Sequence, residues 1–152
     1  EPPAAAAFQL APIPDPRPVI VAGGMLPGMI GGTAQAILTQ AEIAESLRAF
    51  GEDHPIYRAG MLAHSGCLMR KAMFEVNQSF SLPGPYVLTA CEGQHFIPFQ
   101  AGARFASASL VTGCFERNGR YYFETEETVL ADGQIAARFR RVQIYADSRR
   151  NA

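Results

Sequence analysis

The chain has no excess of charge of either sign: 13 Lys and Arg against 14 Asp and Glu leave a formal net charge of -1. The electrostatic field that dominates nucleic-acid binding is missing, so no nucleic-acid partner is expected. No run approaches the roughly 18 to 20 apolar residues needed to cross a bilayer. Nor does the start show a basic segment followed by an apolar one, as a signal peptide would. A soluble, cytoplasmic protein without a membrane partner is expected. Cysteine is scarce: Cys67, Cys91 and Cys114 are odd in number and lack Cys-x-x-Cys spacing. That argues against a zinc site or a disulfide framework and for three reduced, mostly buried thiols. His54, His64 and His95 show no ligand spacing, and no metal is expected.

What is present is apolar. Hydrophobic residues make up 48% of 152 positions and charged ones 18%, enough for one core in one domain. Residues 1–18 hold more than half of the eleven prolines, which excludes a persistent helix or central strand and marks a leader or arm. Residues 19–146 are expected to form the domain and 147–152 a tail. "VIVAGGMLPGMIGG" lacks both the G-x-G-x-x-G spacing and a following Lys-Ser or Lys-Thr. It reads as a glycine-bent segment entering the first strand rather than a phosphate loop.

Thr39 and Glu42 predict a capping box. Ile43, Leu47 and Phe50 then share one face of a short helix that Gly51 ends. A second, strongly apolar helix is predicted from about Gly60 to Val76, its small residues allowing close approach to a sheet. Everything after it reads as strand. Asn118-Gly119 and Asp132-Gly133 predict two-residue hairpins that join the last three strands into an antiparallel meander. Long antiparallel strands with one buried helix imply an α+β fold, a sheet curled around that helix.

Between the helices, "RAFGEDHPIYRAGMLAHSGC" gathers two acids, two histidines and a tyrosine. From about Thr33 to Tyr145 the chain resembles the MaoC-like (R)-specific enoyl-thioester hydratase and dehydratase family, a hot-dog fold. That family's Gly-Asp-x-Asn-Pro-aliphatic-His motif is similar to Gly51-Glu52-Asp53-His54-Pro55-Ile56-Tyr57. Its Ala-His-Gly at the start of the central helix is similar to Ala63-His64-Ser65-Gly66 with one residue inserted, and its Pro-x-x-x-Gly break to Pro98 through Gly102. The acid is Glu52 in register or Asp53 one place late, the asparagine position holds His54, and the histidine position holds Tyr57.

The resemblance implies a hydro-lyase acting on an enoyl or 3-hydroxyacyl thioester. Its acyl group would be carried on coenzyme A or acyl carrier protein, and the protein would need no cofactor of its own. Glu52 or Asp53 with His54 or His64 would be acid and base, and Tyr57 a hydrogen-bond donor. Backbone N–H groups at Ser65 and Gly66 would polarise the carbonyl. His95, mid-strand in "EGQHFIPF", either faces a neighbouring strand or dimer partner or lines the substrate pocket. Two other readings stand beside it: a non-catalytic hot-dog subunit or acyl-thioester-binding module, and a thioesterase-like or specialised secondary-metabolism enzyme. A homodimer or hot-dog heterodimer is expected, because a long open sheet edge invites pairing. Arg138, Arg140, Arg141, Arg149 and Arg150 form either a basic stripe for the carrier's phosphates or an alternating solvated strand face and tail.

Overall fold

The computed structural model describes residues 10–59 and 61–150, without the side chains of 74–77 and 150. Along them run β1 (Ala34–Ile37), α1 (Gln40–Phe50), α2 (Ser65–Ser79), β2 (Val87–His95), β3 (Arg104–Arg117), β4 (Arg120–Ala131) and β5 (Gln134–Asp147). Asn118 and Gly119 have φ of 53° and 74°, Asp132 and Gly133 of 47° and 86°. These are the positive values that two-residue hairpins need, and they produce the expected β3-β4-β5 meander. The five strands lie in the order β1-β3-β4-β5-β2, all pairs antiparallel. With α2 packed on β3 and β4, this is a single hot-dog domain of the α+β class.

The capping box at α1 is present. The Thr39 hydroxyl accepts the Glu42 N–H at 3.2 Å, and the Glu42 carboxylate accepts the Thr39 N–H at 2.8 Å. Gly51 closes the helix in the left-handed region at φ 65°. Glu42 also lies 2.7 Å from Lys71 Nζ on α2. That ion pair first, and the Thr39 N–H second, hold its pKa down at about 2.

α2 begins later than the sequence predicts, at Ser65 rather than near Gly60. Residues 61–63 are extended instead, because the Ala63 N–H donates to the Phe99 carbonyl at 2.8 Å and the Ala101 N–H to that of Met61 at 2.8 Å. That cross-link to the segment after β2 outcompetes helical propensity. It also brings the loop before α2 against the Phe96–Phe99 turn.

The core has two parts. One, under α1 and α2, contains Leu38, Ile43, Leu68, Ala72, Phe99, Phe105, Val129 and Phe139. In the other, Ile20 and Met25 of the glycine-bent segment pack with Phe80, Val111, Phe123 and Tyr145, and the Tyr145 hydroxyl accepts the Met25 N–H at 3.3 Å. The segment then runs along β3, through Gly28 N–H to Val111 carbonyl and Gly31 N–H to Ser109 carbonyl bonds of 2.8 Å each. A Cβ at Gly31 would lie 2.2 Å from Ser109 Oγ, so close approach to β3 explains that glycine.

Two expectations need correction. Cys67 is buried and Cys114 half-buried, but Cys91 is exposed, because β2 is an edge strand with all nine residues accessible. Arg141 does not belong to a solvated stripe. It points inward from β5, is fully buried, and pairs with Glu127 of β4 and the Met69 carbonyl of α2. Arg140 stays outside and faces Glu126 at 3.6 Å, and Arg149 pairs with Asp147 at 2.6 Å.

Candidate functional site

The loop that leaves α1 is tied down by its acid. The Glu52 N–H donates to the Leu47 carbonyl at 2.9 Å, and Glu52 Oε1 accepts the His54 N–H at 2.8 Å. Its second oxygen, Oε2, is left facing His64 Nε2 at 3.7 Å. Pro55 opens a 3-10 turn, Pro55–Tyr57, where His54 Nδ1 accepts the Ile56 N–H at 3.3 Å. His54 and Asp53 are both exposed; the Asp53 carbonyl accepts from Arg58 Nε at 3.4 Å. Their polar atoms therefore shape the turn, while Glu52 faces inward.

His64 caps α2: its Nδ1 accepts the Gly66 N–H at 3.1 Å, satisfying one of the helix's free donors. With Nδ1 an acceptor, the neutral ring carries its proton on Nε2, the atom that faces Glu52. The ring sits between Phe50, at 5.2 Å between centroids, and Tyr57, at 5.6 Å. Gly66 is demanded by this packing, since a Cβ there would lie 2.7 Å from Phe50 Cζ and 3.1 Å from His64 Nδ1. A gap of 3.7 Å is too long for a direct hydrogen bond. A water lying to one side of the pair, rather than directly between the two atoms, reaches both groups at hydrogen-bond distance.

Beside this pair lies a hollow of about 320 Å³, whose lining includes Tyr57, Ser65, Leu68, His95, Ile97 and Phe99. Glu52 and His64 stand at its margin, next to Tyr57 and Ser65, and not in its lining. His95, the last residue of β2, meets Phe139 edge-on at 5.5 Å. Partial burial first, and the charge of His64 second, hold its pKa below the ordinary histidine value. Two larger hollows, of about 560 and 440 Å³, lie elsewhere: beside residues 81–85 and 146–148, and across the outer side of β4, β5 and β2. Neither contains a histidine. Among the described residues, no three His, Cys, Asp or Glu side chains cluster as a metal site would require.

The fold thus brings Glu52, Tyr57, His64, Ser65, Gly66 and His95 together and leaves Asp53 and the His54 ring outside. Sequence reasoning missed Phe50, which presses on His64 and Gly66, and the apolar wall of Leu62 and Phe96 through Phe99. The Pro98 to Gly102 break was visible, but its pairing to residues 61–63 was not.

No family model matches the chain, and no curated protein sequence does. Solved structures do. The C-terminally truncated HadBC (3R-hydroxyacyl-ACP dehydratase) complex of Mycobacterium tuberculosis matches with a TM-score of 0.68 at 17% identity, over 79% of this chain and 97% of that one. The (R)-hydratase of A. caviae involved in PHA biosynthesis matches at 0.59 and 18%, over 80% and 98%. A thioesterase from Thermus thermophilus, complexed with coenzyme A and zinc, matches at 0.55 and 15%, over 81% and 83%. The chain has the hot-dog fold of MaoC-like hydratases and dehydratases, as the motifs imply, and shares it with a thioesterase.

Proposed function

We propose that the protein is a hydro-lyase of the enoyl-thioester hydratase or 3-hydroxyacyl-thioester dehydratase type, working with a rearranged set of side chains. The observation that carries this is the Glu52–His64 pair at 3.7 Å. Tyr57 stands where the resembled motif has its histidine, and His64, arriving from the helix cap, supplies an imidazole to the acid instead. In this reading the pair holds the water that adds to Cβ, or protonates the hydroxyl that leaves it. The Tyr57 hydroxyl and Ser65, in the hollow's lining, bind the thioester oxygen at the positive end of α2. The acyl group arrives on coenzyme A or a carrier protein.

A second reading is a non-catalytic subunit that binds acyl thioesters. It is favoured by the Gly66 N–H, a donor expected to polarise the carbonyl, being already engaged by His64. In both readings β2, solvent-accessible along its length at the sheet edge, pairs with a second hot-dog chain, since unpaired edges are aggregation sites.

The test follows enoyl-thioester absorbance between about 230 and 280 nm with pure protein, with thioester hydrolysis measured in parallel. Turnover that disappears in Glu52→Gln and in His64→Asn supports the enzyme. Tight thioester binding without turnover moves the function to the subunit reading, and hydrolysis without hydration moves it to the thioesterases.

A further inference from the structure

Interconverting a 3-hydroxyacyl and an enoyl thioester moves two groups, a hydroxyl at Cβ and a proton at Cα. The Glu52–His64 pair is placed for one of them. His64 accepts the Gly66 N–H at Nδ1, and its neutral ring carries its proton on Nε2, 3.7 Å from Glu52 Oε2, so its one lone pair is held in the helix cap. Taking a proton from carbon would require His64 to break its own helix cap.

His95 is differently placed. It lines the 320 Å³ hollow from the β2 side, whereas Tyr57 and Ser65 line it from the loop and α2. Neither of its ring nitrogens has a hydrogen-bond partner among the described residues. Its orientation is set by Phe139, which meets it edge-on at 5.5 Å and comes so near β2 that a Cβ at Gly93 would lie 2.9 Å from the ring. The groups facing it are few. His64 and Tyr57 come from the helix cap and the turn. From β5 come Phe139 and the register partner Ala137, neither charged. Low dielectric on the Phe139 side and a second histidine nearby both favour the neutral imidazole, the form that acts as a base.

We propose that His95 is a catalytic base of this reaction, taking the Cα proton of a 3-hydroxyacyl thioester while the Glu52–His64 pair protonates the departing hydroxyl. This rests on the hydro-lyase reading above. The Cα–H bond breaks, its proton goes to His95, and its electron pair is held as the enolate on the thioester oxygen beside Tyr57 and Ser65 before it becomes the Cα–Cβ double bond. The Cβ–O bond breaks, and its oxygen leaves as water with the proton given up by the pair. His95 ends as imidazolium, the pair ends one proton short, and exchange with solvent restores both. Hydration is the reverse.

The experiment separates the two steps. Butyryl-coenzyme A, which carries no 3-hydroxyl, is incubated in D₂O with wild type, Glu52→Gln, His95→Gln and His95→Asn. Deuterium entry at Cα is read by NMR, with hydration rates and butyryl-coenzyme A affinity measured beside it. Exchange is expected in wild type and Glu52→Gln. It should fall about 100-fold or more in both His95 variants, with affinity unchanged and the acidic limb of the kcat/KM profile removed. Wild type that turns over while a folded His95 variant keeps exchange and turnover overturns the His95 assignment alone. Wild type that shows neither overturns the assignment together with the reading beneath it.

Discussion

His64 faces Glu52 with one nitrogen, Nε2 to Oε2 at 3.7 Å, and caps α2 with the other, Nδ1 from the Gly66 N–H at 3.1 Å. One ring therefore serves both the proposed chemistry and the helix start, and substitutions can separate the two. Asparagine at this position keeps a cap acceptor but cannot reach Glu52, so His64→Asn should lower kcat by roughly 10² to 10⁴ with little loss of stability. Alanine removes both roles and should in addition cost about 1 kcal/mol. Steady-state rates and urea midpoints of the two variants check this; equal stability of both would remove the cap from the account.

His54 and Asp53 are the contrasting case. Both are exposed, and the His54 ring spends Nδ1 on the Ile56 N–H. His54→Ala should leave kcat within about threefold of wild type and cost at most about 1 kcal/mol, as loss of a cap does. A hundredfold loss in kcat for His54→Ala, measured with the same thioester, would return the chemistry to the loop.

These two histidines also show which features were legible in the sequence. Thr39 with Glu42, Asn118-Gly119 and Asp132-Gly133 encode local geometry, and each forms as the residues predict. The order of the meander strands followed from them. Choosing His64 over His54, by contrast, depends on residues 61–63 being held extended by Phe99 and Ala101, a contact nearly forty residues away that no local pattern encodes. Arg141 failed for a related reason: it alternates with Arg140 as a solvated strand would, and only the position of α2 decides which face is inside. Cys91 looked like a core thiol until the topology put β2 at the edge.

That edge makes a specific prediction about assembly. β2 runs from Val87 to His95, so Cys91 is its midpoint. Two copies pairing β2 antiparallel about a two-fold axis through that midpoint place Cys91 opposite the partner's Cys91. Their Cα atoms would be about 4.5 to 5.5 Å apart, within disulfide range. Mild oxidation should then give a covalent dimer on a non-reducing gel. It should vanish in Cys91→Ser and persist in Cys67→Ser and Cys114→Ser. Light scattering that finds a monomer would sink the interface; a dimer without the cross-link would shift its register.

The fully buried Glu127–Arg141 pair predicts an unusual pH response. Burial raises the Glu127 pKa from 4.5 to about 7, against the opposing pull of Arg141 and the Thr125 hydroxyl. A raised folded-state value means that the native protein holds more protons than the unfolded chain between these limits. The contribution is complete below about pH 4.5 and is lost as pH rises through about 7. Stability should fall across that window by up to roughly 3 kcal/mol. Glu42, held at about 2, acts in the opposite sense and only below pH 4.5. Glu127→Gln should match wild type at pH 5 and exceed it at pH 8. Arg141→Met strands the carboxylate and should cost roughly 3 to 5 kcal/mol at pH 8, less at pH 5 where Glu127 can take a proton. Urea unfolding of the three proteins at both pH values decides. A Glu127→Gln variant less stable than wild type at pH 8 would show instead that the ionised pair stabilises the fold.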